Sequence, residues 1–281
     1  MTAANEEPAT VEEPMIPLLE RVWASIADLG ADLGEAEWKQ PSELPGWSVQ
    51  DNLSHIVGTE RTMRGDATPD NHPPDDHVRN PIGELNEHWV EHYRSWSGAD
   101  LLAEFDRLRA ERLEELRALP PERFDEVGPT PVGQAPFREF LAVRVFDSWI
   151  HEQDMRRPLG RPGHLTGPVV ELSMGRMASA MPFVVGKKVG APDGTAVVFQ
   201  VTGSDPSSPP RPLAVVVDGR AALVDELPAN PDVTLTLDLT AFTALSTGRW
   251  DPATALDDGA VRIDGDEALG RRVVEQLDFM V

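Results

Sequence analysis

The spacing of apolar residues changes once along this chain, near residue 160, and that change limits the fold more than any other feature. Before it, apolar residues recur at helical intervals; after it, short runs alternate as strands do. Ile16, Leu19, Val22, Trp23 and Ile26 form the first helical stripe, which Leu29 and Leu33 extend. A break at Pro41–Trp47 follows. Ser48 with Asp51 three residues on is a capping-box pattern, and Val49, Leu53, Ile56 and Val57 give the next helix its buried stripe. Residues 65–81 hold Gly65, Pro69, Pro73, Pro74 and Pro81 and read as a loop, at that length either a lid or a disordered segment. Helical pattern returns over 82–118, with a break at Ser97–Gly98. It returns again over 137–157, after a loop at Pro120–Pro136. Four helices with partly long connections predict a four-helix bundle.

Past the Pro158–Gly163 stretch, one more helix is expected at 167–188. Strands are expected at Ala196–Val201, Leu213–Val217, Val233–Leu239 and Val261–Ile263, with a loop at Ser204–Pro212 and helices over 240–246 and 266–277. The expected class is α+β overall: a helical bundle followed by a small α+β domain with a mainly antiparallel sheet. The expected division is a disordered N-terminal tail over 1–15, the bundle over 16–160 and the sheet domain over 164–281.

Composition removes several function classes. The 281 residues include no cysteine, so thiolate catalysis, disulfides and Cys-ligated metals are excluded, and any thiol must be brought in. The 48 acids outnumber the 25 bases, for a formal charge of −23. Nucleic acid and anionic membrane surfaces need the opposite balance. A small anionic substrate stays compatible where a local Arg pocket overrides the global field. The first fifteen residues hold Glu6, Glu7, Glu12 and Glu13 and no Lys or Arg, so no positive leader region is read there. The longest apolar run is too short for a membrane span. A cytoplasmic protein is expected.

The seven histidines sort individually. His72, His77 and His164 lie in or beside Pro/Gly-rich segments and read as solvated. His88 and His92 form an i, i+4 pair, but Glu84, Glu87 and Glu91 surround them and favour a solvated face. His55 sits off the centre of its helix stripe. On the 137–157 helix, Asp147 and His151 are i, i+4 and share a face, with Arg144 and Asp154 flanking it. That helix is apolar around most of its circumference, so its polar strip faces either solvent or the bundle interior. In the second case Asp147 and His151, with a histidine from another bundle helix, make an N₂O ligand set of the kind bundles assemble from facing helices. Three protein ligands leave one position open on zinc, and a set without sulfur suits Zn²⁺ among divalent metals. Asp154 would then orient a ligand histidine. Glu60 is a further ligand or a buried partner for Arg144.

Residues 44–55 (Leu-Pro-Gly-Trp-Ser-Val-Gln-Asp-Asn-Leu-Ser-His), 147–154 (Asp-Ser-Trp-Ile-His-Glu-Gln-Asp) and 160–163 (Gly-Arg-Pro-Gly) resemble the mycothiol-dependent maleylpyruvate isomerase family. That family belongs to the DinB-like metal-binding four-helix bundles. Ser-Thr-Gly-Arg (246–249) and Ile-Asp-Gly-Asp (263–266) are similar to the sterol-carrier-like domain that its members carry at the C-terminus. The resemblance implies a divalent metal, usually zinc, on His55, Asp147 and His151, with Asp147 standing where the family has Glu. It implies mycothiol as thiol cofactor or co-substrate, a small electrophile as substrate, and isomerase or S-transferase chemistry. It also implies an assisting Arg from the C-terminal domain, for which Arg249 comes first and Arg220 second. Two other readings remain: a lipid or small-ligand carrier acting through the C-terminal domain, and a metal-binding protein without thiol chemistry.

Overall fold

A computed structural model describes residues 12–74, 78, 80–130, 133–203 and 211–280. Residues 1–11 of the expected tail, His77, much of the 204–212 loop and part of the 65–81 loop lie outside the described residues, whereas Glu12 and Glu13 pair with Arg117 and Arg138 and Met15 opens the first helix, so the expected disorder does not extend to residue 15.

Helix α1 (Met15–Ala31) buries Ile16, Leu19, Val22, Trp23 and Ile26, the stripe read from the sequence. A single turn, α2 (Glu35–Trp38), follows. The capping box is present at the start of α3 (Val49–Met63), where Ser48 accepts from Asp51 N and Asp51 accepts from Ser48 N. Pro81 opens α4 (Pro81–Tyr93) with Asn80 as its cap, and Ser97 caps α5 (Gly98–Arg117). The break predicted at Ser97–Gly98 therefore separates two helices. Helix α6 (Phe137–Arg156) packs on α1 and α3, α5 packs on the same two, and α4 lies against α3. Gly58 permits that last approach, since a Cβ there would fall 2.3 Å from Trp89 Cβ.

The 120–136 stretch is more structured than its Pro/Gly content suggests. It holds a 3₁₀ turn at Pro121–Asp125 and an antiparallel hairpin, β1 (Val127–Thr130) with β2 (Gly133–Pro136). Beyond the linker, α7 (Pro168–Phe183) runs into a π-helical turn at Val184–Lys188. The sheet contains β3 (Ala196–Thr202), β4 (Arg211–Asp218), β5 (Arg220–Val224), β6 (Val233–Asp238) and β7 (Val261–Gly265), in the order β5-β4-β3-β6-β7. Only the β3–β6 pair is parallel among the described strands. Helices α8 (Leu239–Ser246), α9 (Pro252–Asp257) and α10 (Glu267–Glu275) complete this half. The class is α+β, with a helical N-terminal half and a mostly antiparallel sheet after it.

The two halves share one apolar core. Helix α7 touches α6 and α1 on one side and β4 and β5 on the other, so Val169, Val170 and Met177 join the bundle interior to the sheet. No helix among the described residues is long and apolar enough to cross a membrane.

Candidate metal centre

Helix α6 is buried over most of its length, from Leu141 to Met155, and its polar strip turns inward to meet α3. Of the two orientations left open by the sequence, the interior one is present. His55 on α3 and Asp147 and His151 on α6 offer one ligand atom each, all within 4.8 Å of one another. His55 Nε2 lies 3.3 Å from Asp147 Oδ2, and His151 Nε2 lies 3.7 Å from Asp147 Oδ1. Donor atoms bound to one tetrahedral zinc at about 2.0–2.1 Å sit about 3.3–3.4 Å apart. The Asp147 side chain, though one methylene shorter than Glu, reaches both imidazoles.

The partners of His151 favour ligation through its Nε2. His151 Nδ1 is 2.9 Å from Asn52 Oδ1 and 3.3 Å from Asp154 Oδ2. An ionised carboxylate only accepts, so the tautomer with its hydrogen on Nδ1 satisfies these partners and leaves Nε2 free to ligate. His55 Nδ1, by contrast, is buried without a partner among the described residues. Burial is the main cause holding the His55 imidazole below its ordinary value, against the pull of Asp147, which keeps it neutral as a ligand must be. Burial would raise the Asp147 carboxyl, but Arg144 above all, then His55 and His151, hold it far below the carboxylate range.

Arg144 belongs to a buried chain of charges. Its Nη1 donates to Asp147 Oδ2 and its Nε to Glu60 Oε1 at 2.9 Å; Glu60 Oε2 accepts from Arg112 Nε at 3.2 Å. Glu60 is thus the buried partner of Arg144, and its oxygens are taken by two guanidiniums. Asp147 Oδ2 serves Arg144 and His55, which leaves Oδ1 toward His151. Asp147 is 24% exposed at its side chain against 6% and 9% for the two histidines, so solvent meets the cluster at the carboxylate.

Trp47 covers the imidazoles. Its ring centroid is 5.6 Å from His55 and 5.8 Å from His151, nearly stacked on the latter at 29°. The indole Nε1 donates to Glu87 Oε1 at 2.6 Å. Neither Trp47 nor Asn52 was singled out from the sequence. Asn52 lies three residues before His55 and shares its face, a spacing that carried the signal.

Two comparisons bear on this arrangement. Residues 19–156 match the family described as mycothiol maleylpyruvate isomerase N-terminal domain, and residues 187–278 match the SCP-2 sterol transfer family. The chain belongs to the mycothiol maleylpyruvate isomerase family. A solved structure of the mycothiol-dependent maleylpyruvate isomerase is 18% identical, with 94% of this chain and 96% of that chain covered and a TM-score of 0.56. A histidine-to-alanine mutant of that enzyme gives 17% identity, the same coverage and a TM-score of 0.55. At this identity the likeness is one of fold. No curated protein matches the chain.

Within this family frame the other expected residues separate. Arg249 reaches the site indirectly: its Nε and Nη2 bond Asp154, the latter at 2.8 Å, and its Nη1 bonds Thr247 O at 2.6 Å. Arg220 does not reach it; it is exposed at the start of β5, the outermost strand. His88 is paired with Asn71 at 2.7 Å, and His92 packs edge-on against Tyr93, so the i, i+4 pair gathers no ligand cluster among the described residues. His164, read as solvated, is instead held at the linker. Its Nδ1 lies 2.6 Å from Glu152 Oε2, its carbonyl accepts from Trp149 Nε1, and its φ is +51°.

The metal-free chain is expected to lose stability as pH falls. The folded-state value of His55 lies below its unfolded one, so the unfolded chain takes the proton first and stability drops once pH passes below about 6.5. Asp147 and Asp154 are depressed, so their contributions are complete above about pH 4 and disappear below it. Urea midpoints measured between about pH 8 and 5 check the sign; a midpoint that rises toward acid contradicts it.

Proposed function

We propose that this chain is a cytoplasmic metal-dependent enzyme that uses mycothiol on small electrophiles, as an isomerase or an S-transferase. The observation that carries the reading is the His55–Asp147–His151 cluster, three potential ligand residues facing one another inside a domain of this family. A divalent metal held there, zinc by the chemistry of the donor set, would supply thiolate at neutral pH by lowering the pKa of a coordinated thiol.

The side chains divide the remaining work. Asn52 and Asp154 fix the His151 ring and its tautomer. Arg144 keeps Asp147 ionised. Trp47 shields the imidazole faces from water. Support for an anionic substrate comes from Arg144, whose Nη2 is buried without a partner among the described residues, a donor suited to a carboxylate. With a cis-enedioate, addition of the thiol leaves a single bond free to rotate before the thiol is expelled, giving the trans isomer. With a halide or an epoxide the product is a stable thioether.

The test is mycothiol consumption and product analysis over a panel of cis-enedioates, halides and epoxides, with zinc-loaded and metal-free chain. Turnover is expected only when metal and mycothiol are both present. Turnover that ignores the metal, or none across the panel, contradicts the reading. A second reading, carriage of a small apolar ligand, draws on the SCP-2 family match over 187–278. Saturable uptake of a fluorescent fatty acid by the full chain, without thiol turnover, would favour it.

A further inference from the structure

Two adjacent residues of the sheet half, Arg249 and Trp250, reach across to the bundle at the support of His151. Arg249 meets Asp154 through three contacts of 2.8–3.3 Å. Trp250 Nε1 donates to Glu43 Oε1 at 2.8 Å. Arg157 closes the circuit, with Nη2 at 2.5 Å from Asp154 Oδ1 and Nε at 2.5 Å from Glu43 Oε2. Asp154 has no exposed side-chain surface, so these guanidiniums, with His151 Nδ1, balance its charge among the described residues. Glu43 lies in the Pro41–Trp47 segment that also places Trp47 over the imidazoles.

An ion pair that merely docks two domains is the plain account, and two observations weigh against it. The halves already share a continuous apolar core through α7. A buried ion pair adds little stability over apolar packing, so docking alone does not require one. Moreover, the Asp154 oxygen that Arg249 Nη2 grips at 2.8 Å, Oδ2, is the one facing His151 Nδ1 at 3.3 Å. Removing the guanidinium would free that carboxylate to turn toward Arg157 and leave His151 with Asn52 alone.

We propose that Arg249 is a positioning residue for the metal centre: by holding Asp154 on His151 Nδ1, the sheet half completes the ligand geometry of the bundle. This rests on the metal reading above. It carries a reciprocal consequence, because whatever factor Arg249 adds to metal affinity, bound metal adds to the Arg249 contact.

The test uses zinc affinity of the full chain, measured by competition with a chromophoric chelator. Arg249→Gln is expected to weaken zinc about 10–100-fold, as loss of support behind a ligand histidine does, with Arg249→Lys in between. In an Asp154→Asn background the same change should cost nothing more. Arg176→Gln, which removes the α7–α6 ion pair with Glu139, should leave affinity unchanged. Equal affinity in wild type and Arg249→Gln overturns the proposal while leaving the metal reading intact. An equal loss in Arg176→Gln reduces Arg249 to general docking and overturns it too. A wild-type chain that takes up no zinc overturns both. Should Arg249→Gln fail to fold, hydrogen exchange on the wild type decides: zinc is expected to slow exchange over 244–250, and no change there overturns the coupling.

Discussion

His151→Ala is expected to lose zinc by more than about 1,000-fold and thiol turnover with it, since a missing ligand costs more than the 10–100-fold of a missing supporting contact. The fold should survive. Asp154 keeps both of its guanidinium partners, and Asn52 stands beside the vacated position with room for water. Asn52→Ala is the graded comparison: it removes one of the two acceptors on Nδ1 but leaves Asp154, so the loss should fall within about 10–100-fold. Chelator competition and circular dichroism on the three proteins check both statements. Zinc affinity retained within about tenfold in His151→Ala would remove this histidine from the ligand set.

Glu60→Ala is expected to be the most destabilising single change at the site, by about 3–5 kcal/mol in urea unfolding. Glu60 is the shared counter-charge of Arg144 and Arg112, and the two guanidinium side chains are only 4% and 10% exposed. Without it Arg144 retains Asp147, but among the described residues Arg112 retains only Glu115, which is 40% exposed and therefore a weak partner. Two cations would then face each other across the space left by the carboxylate. A loss below about 1 kcal/mol would mean that water enters and replaces Glu60, against the burial of this chain of charges.

Helices α1 and α3 were legible because each buries a periodic apolar stripe, and α3 also opens on the Ser48–Asp51 capping box. The hairpin β1–β2 and the strand β5 were not. The first lies in a segment of Pro and Gly residues; the second, the edge strand Arg-Ala-Ala-Leu-Val, places no alternating polar residues among its apolar ones and buries none of them fully. At the site, the i, i+4 relation of Asp147 and His151 was visible, but the direction of their face was not. A helix buried around its circumference gives no periodic clue to which polar strip turns inward. His164 misled for another reason. Its neighbours are those of a solvated linker, and only the fold brings Glu152 to it. Arg249 and Asp154 are 95 residues apart, so their contact has no signature in local spacing.

The central claim is that His55, Asp147 and His151 hold one metal ion that receives the thiol. Calorimetric titration of mycothiol into zinc-loaded and metal-free wild-type chain, with metal content measured on the same samples, tests it most directly. The account predicts about one zinc per chain, and mycothiol binding with proton release in the loaded chain alone. A chain that holds no zinc after reconstitution, or that binds mycothiol equally well without metal, would contradict it.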